Sequence, residues 1–510
     1  MNAISSIDTI NNNGVTYYLP KTHDEIAILL KDAKANNKKI CVKGSGHSFP
    51  LIPKMVKENT CTFIYMSNFR SVSFDDANMT VKVEGGCNLG RDPFDITQKS
   101  TVENSLFYQV FKHGWSIPEM GGIIHQTVGG FISTGSSGGS IKYSFDEMLV
   151  DITIMTAEDP EPKIRTFSVN DPNTDDFYAA GIAMGMFGVI LSATFKCLPT
   201  FNIQGTETIS YVKDCSIDLF ESGSNSLENF FKDIDYSRLI WWPQENINKM
   251  IVWQASKIDP VPGFTPKPYE EVPPIFGSEI PSSVAADLVY TAIGEWPKWF
   301  LEAFGNSKVA KGIADLVSTE FYPMILPKIL EKFEPIDTKE KGPQKFQDYW
   351  WSGLCMDNKM NDKLMPVWFT ELWIDVAKAD QVMKELRAFF GESTDNTGYF
   401  CLELYASKAS KFWMSPSYGH DVIRLDVFWF ANSDRDPVET TFQRYWDRFE
   451  KYDFRCHWGK YLPKTVNGKP GGKYLESQYP NWANWMAKRA VYDVDNIFVN
   501  PYWQDQLKIS

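Results

Sequence analysis

Lys43-Gly44-Ser45-Gly46-His47-Ser48-Phe49 is the stretch on which the reading of this chain turns. A β-type run, Ile40-Cys41-Val42, leads directly into it. The pattern is therefore a strand followed by a tight glycine-rich loop. Glycines permit positive φ and let backbone amides come close to a ligand, and such amides, with Ser45 and Ser48, suit phosphate oxygens. His47 then stands where it can touch, or be joined to, whatever the amides hold. A polar strand-to-helix turn with a surface histidine accounts for the same seven residues equally well, because short glycine motifs have little specificity alone.

Upstream, Tyr17-Tyr18-Leu19 reads as a strand ending at Pro20. Thr22-His23-Asp24-Glu25 reads as a capping box, and Ile26, Leu29, Leu30 and Ala33 follow at helical spacing. Downstream come short β runs at 62–66, 71–74 and 80–84, the last two separated by the turn Asp75-Asp76-Ala77-Asn78. One helix followed by a β meander is not a doubly wound dinucleotide fold, and Phe49 stands where that fingerprint needs its third glycine. Between Gly121 and Gly139 seven of nineteen positions are glycine, which predicts neither an ordinary helix nor a strand. The interleaved Ser and Thr suggest backbone wrapped around a ligand. Ile123, Ile124, Val128, Phe131 and Ile132 argue against a flexible linker. A third piece, 176–195, reads as a small-residue helix, a glycine turn and a buried strand closed by Leu198-Pro199.

The 510 residues exceed one ordinary core, so two or three domains are expected. Composition changes near residue 200. From 201 to about 450, proline-rich loops surround amphipathic segments at 285–304 and 324–333. Strand-like runs recur at 239–242, 367–374, 399–405 and 422–430, the pattern of an α+β unit. The net charge of −13, with no basic patch, argues against nucleic acid as a partner. The eight cysteines form no CxxC pair and read as scattered core residues. The first thirteen residues lack an apolar signal core, and no run approaches the roughly 20 apolar residues of a spanning helix. A soluble, cytoplasmic protein without a membrane segment is the expectation. Gly468-Lys469-Pro470-Gly471-Gly472-Lys473 has no Ser or Thr after its lysine and is not a phosphate-binding P-loop.

Four separated motifs, taken in order, resemble the vanillyl-alcohol-oxidase-type flavoproteins and, within them, the aldonolactone and alditol oxidases. Gly44 to Ser48 resembles the loop that holds the FAD pyrophosphate and carries the covalent flavin on its histidine. Gly121 to Gly139 resembles the second FAD loop. Leu402-Glu403-Leu404-Tyr405, with 414–421 just after it, resembles the substrate-domain signature. His457-Trp458-Gly459-Lys460 resembles the end motif. The likeness spans most of the chain except the region near 255–350, which reads as an insertion.

The resemblance implies an α+β, two-domain PCMH-type flavoprotein. Residues 1–200 form the FAD-binding domain, 201–450 the cap or substrate domain, and 451–510 return to the FAD domain. FAD is implied as cofactor, covalent through His47. Its contacts are implied at Lys43, Gly44, Ser45, Gly46 and Ser48, and again at Gly121, Gly122, His125, Thr127, Gly129, Gly130, Ser133, Thr134, Gly135, Ser137, Gly138, Gly188 and Ile190. His125 stands where the berberine-bridge branch has a second flavin-bonding cysteine, so a single bond through His47 is expected.

Catalytic roles are implied for Lys460, which stabilises a developing alkoxide or the reduced flavin, for His457, for Glu403, which bonds substrate hydroxyls, and for Tyr405, which can donate one hydrogen bond. Tyr405 stands where the family usually has arginine, and Arg424, Asp426 and Phe428 replace the His and Thr of sugar-alcohol oxidases. Gly122 replaces a serine of the alditol oxidases. Gly121 either admits dioxygen beside the flavin or serves backbone shape alone. The implied activity is oxidation of a hydroxylated small molecule (a sugar lactone, alditol or related alcohol) with dioxygen as acceptor and peroxide as product. A dehydrogenase using another acceptor, or a tailoring enzyme acting on a larger aromatic metabolite, are the alternatives.

Overall fold

The structure, a computed structural model, describes residues 3–48, 60–270, 296, 298–303, 307–317, 327–328, 334–340, 342–358, 367–398, 400–431 and 436–509. The expected amphipathic segments at 285–304 and 324–333, and much of the region near 255–350, lie largely outside the described residues.

The chain opens on a small sheet of Thr9–Asn12 (β1), Val15–Tyr18 (β2), Lys39–Lys43 (β3) and Cys61–Tyr65 (β4), in the order β1-β2-β4-β3. The helix His23–Ala35 connects β2 to β3 and buries Ile26, Leu29, Leu30 and Ala33, the face given by its sequence spacing. The Glu25 amide donates to Thr22 Oγ1 (3.2 Å), while the Glu25 carboxylate accepts from the Lys21 amide, one residue before the position of a reciprocal capping box. This helix packs in one core with Ile40, Ile64, Val189, Leu191, Ile497 and Phe498. The end of the chain thus closes the core begun at its start: the Ile40 amide donates to the Ile497 carbonyl (2.7 Å) and Lys39 Nζ to that of Asn496 (2.8 Å).

An antiparallel sheet follows, built from Val72–Asp75 (β5), Thr80–Glu84 (β6), Leu149–Thr156 (β8), Lys163–Ser168 (β9) and Val189–Lys196 (β10), in the order β5-β6-β10-β8-β9. Trp115–Ser116 (β7) pairs with Leu198–Pro199 (β11) beside it. The glycine-rich segment departs from the expectation of no regular structure: Val128–Thr134 is a helix. Thr127 caps its first turn by accepting from the Gly130 amide (3.2 Å), and Gly135 ends it in the left-handed region at φ 66°. Packing outweighs propensity here, for Val128, Phe131 and Ile132 are buried. A Cβ on Gly129 would stand 3.1 Å from the Gly85 carbonyl oxygen, so glycine lets this helix lie close to the β6 end.

Residues after 200 build an eight-stranded antiparallel sheet. Its strands are Asn202–Tyr211 (β12), Tyr236–Trp242 (β13), Lys249–Ile258 (β14), Gln344–Tyr349 (β15), Val367–Asp375 (β16), Leu402–Ser407 (β17), Val422–Phe430 (β18) and Arg455–Cys456 (β19). The order is β15-β12-β14-β13-β17-β18-β16-β19. Among the described residues no helix is long and apolar enough to cross a membrane, and all eight cysteines are free thiols.

Candidate active site

β3 runs straight into the Gly44–Ser48 loop, where Gly46 adopts φ +90°. One wall of a cleft of about 1280 Å³, open mouth included, is formed by Lys43, Gly44, Ser45, Gly46, His47 and Ser48. Gly85, Thr127, Gly129, Gly130, Ser133, Thr134 and Ser136 form the second wall, and Gly188 and Ile190 add to it. Gly188, at φ +140°, has no room for a side chain: a Cβ would stand 2.2 Å from the Met155 carbonyl oxygen. His457 and Lys460 also line it, as do Phe498, Asn500 and Trp503 of the C-terminal segment.

Not every expected residue faces this cleft. Gly121, Gly122, His125, Gly135, Ser137 and Gly138 are not among its lining residues. Gly121 is close-packed, since a Cβ there would meet Phe131 at 3.1 Å. The Gly122 carbonyl accepts from the Asp357 amide (3.0 Å). His125 lies behind His47, ring centroids 5.5 Å apart. Its carbonyl accepts from Ser45 Oγ (2.6 Å) and from Asn88 Nδ2 (2.7 Å), so an asparagine outside every motif ties the two loops together. Arg70 holds Asn88 Oδ1 (2.7 Å) and Asp95 (2.9 Å). The Ser133 and Thr134 hydroxyls bond back to the Gly129 and Gly130 carbonyls at 2.6 and 3.1 Å.

The cleft fits FAD on charge and shape. Among the described residues its lining contains Lys43 and Lys460 and neither Asp nor Glu, in a chain of net charge −13. A cleft with two cationic residues, bare glycine backbone and apolar residues at Ile40, Met66 and Trp503 matches a dinucleotide, anionic at its pyrophosphate and apolar at its rings.

At the Lys460 end the end motif meets the polar face of the large sheet. Trp458 Nε1 donates to the Met414 carbonyl (2.6 Å), joining the two C-terminal motifs. His457 Nδ1 accepts from the Gly459 amide (3.0 Å), so the proton is on Nε2, 2.9 Å from Ser136 Oγ. Burial, with Lys460 and Arg424 nearby, pushes the His457 imidazole down to about 4, against the pull of Glu371. His47 is likewise pushed down to about 4 by burial and by Lys460. Both rings are neutral at pH 7. Lys460 Nζ lies 3.7 Å from the Phe369 ring centroid.

Behind Lys460, Glu371, Arg424 and Asp426 are buried. Arg424 Nη2 reaches Asp426 (3.0 Å) and Glu371 (3.4 Å), and Nη1 donates to the Ser137 carbonyl (2.7 Å). Trp373 Nε1 donates to Glu371 (3.0 Å). Burial raises the Glu371 carboxyl, but Arg424, His457 and Lys460 outweigh it and hold the group below its ordinary value. Burial, with Glu371 alongside, pushes Asp426 up to about 8 in spite of Arg424. Glu403 is half-buried on the neighbouring strand. Tyr405 is buried, and its hydroxyl donates to Asp357 Oδ2 (2.8 Å), whose other oxygen takes Arg238 Nη1. Arg238 Nη2 continues to the Tyr269 hydroxyl (3.2 Å), which donates to Glu207 (2.5 Å). Glu371, Asp357, Arg238 and Ser136 went unread in the sequence. The one local signal was Glu371, a lone carboxylate inside the apolar run Val367-Trp368-Phe369-Thr370-Glu371-Leu372-Trp373.

A two-domain fold with a glycine-lined dinucleotide cleft and a polar sheet face at one end is that of the FAD-binding PCMH-type flavoenzymes. The D-arabinono-1,4-lactone oxidase family matches residues 193–506 and the FAD binding domain matches residues 16–91. The chain belongs to the D-arabinono-1,4-lactone oxidase family and is an FAD-linked oxidoreductase. It is 29% identical over 492 residues to L-gulonolactone oxidase of Mus musculus, and 24% identical over 496 residues to that of Bos taurus. Each alignment covers 95% of this chain and 93% of the relative. Among solved structures, cholesterol oxidase from B. sterolicum superposes with a TM-score of 0.68 at 13% identity, covering 99% of this chain and 96% of the other. That likeness is one of fold.

Proposed function

We propose that the protein oxidises a hydroxyl-bearing carbon of a sugar lactone or a related polyhydroxylated compound and passes the electrons to dioxygen. In balance, a carbinol and dioxygen give a carbonyl compound and hydrogen peroxide. The carbinol loses two electrons and two protons, and dioxygen gains both pairs. The observation that carries this reading is that Lys460 and His457 line the cofactor cleft and also act on the buried Glu371 of the large sheet. The full-length similarity to L-gulonolactone oxidases supports the lactone class.

Bound in the cleft, FAD supplies the two-electron oxidation of the carbon–hydrogen bond. This chain's residues do the rest. Lys460, half-buried, places a fixed positive charge where an alkoxide develops. Glu403 accepts from a substrate hydroxyl. His457, neutral and held by Ser136 and the Gly459 amide, fixes the turn that carries Lys460. His47 is the attachment residue: burial and Lys460 keep its imidazole unprotonated, so a ring nitrogen would be available to hold the cofactor covalently. Residues 1–200 with 451–510 form the FAD-binding domain, and 201–450 the substrate domain.

An oxygen-electrode trace of the holoenzyme with L-gulonolactone and D-arabinono-1,4-lactone, with peroxide assayed in parallel, tests the reading. Oxygen uptake with equimolar peroxide is the expected result. Flavin reduction without oxygen uptake places the enzyme among dehydrogenases, and no flavin reduction by any lactone or alditol overturns the substrate class.

A further inference from the structure

Three adjacent strands of the large sheet bring three carboxyl groups into one line. Glu371 on β16 lies opposite Asp426 on β18, which lies opposite Glu403 on β17. Direct partners in an antiparallel pair point to the same face, with Cβ atoms about 4.5–5.5 Å apart. Two residues along, Trp373, Arg424 and Tyr405 form a second line on that face. The Arg424 guanidinium carbon is 4.8 Å from the ring centroids of both aromatics. The rings and the Asp426, Glu371 and Ser137 contacts fix the plane of the guanidinium.

Two atoms of this array are left over. Among the described residues Arg424 Nε and Asp426 Oδ1, both buried, meet no hydrogen-bond partner, in residues that are 6% and 3% exposed. An arginine fork and a carboxylate built only to neutralise one another would pair these atoms too, and leaving either bare is costly. They lie two residues apart on one strand, on the face where Arg424 grips Ser137. Ser137 does not line the cleft itself but directly follows Ser136, which does line it and is the partner of His457. A donor N–H and a carboxyl oxygen on neighbouring same-face side chains, already joined through Nη2 and Oδ2 (3.0 Å), complement two neighbouring hydroxyls, one accepting and one donating.

We propose that Arg424 Nε and Asp426 Oδ1 form a substrate subsite that reads a vicinal diol, next to Lys460 and in line with Glu403. The pair thereby selects polyhydroxylated substrates over simple alcohols and lactones. The inference rests on the lactone reading above and adds to it the residues that choose the substrate. Glu371 is the positioning residue that orients Arg424 from the far side.

The test compares two probes that share a ring. D-arabinono-1,4-lactone carries the full set of hydroxyls, whereas α-hydroxy-γ-butyrolactone keeps the ring and one hydroxyl. The ratio of kcat/KM between them is measured for the unmodified holoenzyme, Asp426→Asn and Arg424→Lys, with flavin content checked by absorbance. Each substitution is expected to lower the ratio roughly tenfold to a hundredfold, the range of one hydrogen bond to a charged group. A ratio that holds while both activities fall together marks a merely structural pair and overturns the inference, as does no change. If the unmodified holoenzyme oxidises neither lactone, the lactone reading has failed, and xylitol against 1-propanol, which has no second hydroxyl, replaces the probe pair under the same criterion. If no polyhydroxy compound is oxidised either, the subsite is overturned as well.

Discussion

Tyr405→Phe separates a substrate-binding tyrosine from one that holds the framework. The tyrosine hydroxyl is buried and donates to Asp357 Oδ2 at 2.8 Å, and Asp357 in turn anchors the buried Arg238. Phenylalanine keeps the ring and its packing on Arg424 while removing this one bond. A buried hydrogen bond to a charged group is worth about 1.5–3 kcal/mol, and Asp357 is left short of one partner for that oxygen. The holoenzyme variant is therefore expected to lose about 1.5–3 kcal/mol of stability, read by urea unfolding through tryptophan fluorescence. Tyr405→Ala removes the ring as well and falls in the range of about 3–5 kcal/mol. A double-mutant cycle with Asp357→Asn attributes the loss to this contact, with an expected coupling above about 0.5 kcal/mol. The rate of flavin reduction by D-arabinono-1,4-lactone changes less than about tenfold, because the hydroxyl is already committed within the protein. A coupling near zero, together with a hundredfold loss of reduction rate at unchanged stability, would refute the reasoning and return the hydroxyl to the substrate.

His47→Ala is expected to abolish acid-stable flavin while leaving FAD able to bind; flavin that stays with the acid-precipitated variant places the attachment elsewhere. Lys460→Met is expected to slow anaerobic flavin reduction about 10²- to 10³-fold, the scale for removing one group that stabilises developing charge, with flavin content retained; an unchanged single-turnover rate removes Lys460 from the chemistry. The His457 imidazole, at about 4 when folded against an ordinary 6.5, binds its proton more readily in the unfolded chain. Its contribution to stability is thus complete above pH 6.5 and is lost as pH falls toward 4, about 3 kcal/mol in all. His457→Gln should flatten the pH profile of unfolding over that window, and a profile as steep as that of the unmodified protein would contradict the assignment.

What could be read from the chain was whatever a short run of residues encodes by itself. The Gly44–Ser48 loop needs a strand before it and positive φ at Gly46, both local demands, and its residues line the cleft. The helix face of Ile26, Leu29, Leu30 and Ala33 was legible for the same reason. The helix at Val128–Thr134 was not, because glycine propensity argues against it. What forms it is contact with Gly85 and Ile190, both far away in the chain. The same division runs through the site. Lys460 belongs to a four-residue motif, whereas the line of Glu371, Asp426 and Glu403 exists only once β16, β18 and β17 are paired. A one-residue slip in either pairing would turn a carboxyl to the opposite face, and nothing near Glu371 in the sequence specifies that register. Arg424 and Tyr405 make the same point in chemical terms. Read along the chain, the tyrosine is where the family's arginine should be, and a cation is missing from the site. Across the sheet, Arg424 stands directly opposite Tyr405, on the same face and between two rings. The positive charge has moved one strand over, so substitutions at Arg424, rather than at Tyr405, are the ones expected to change which substrates this oxidase accepts.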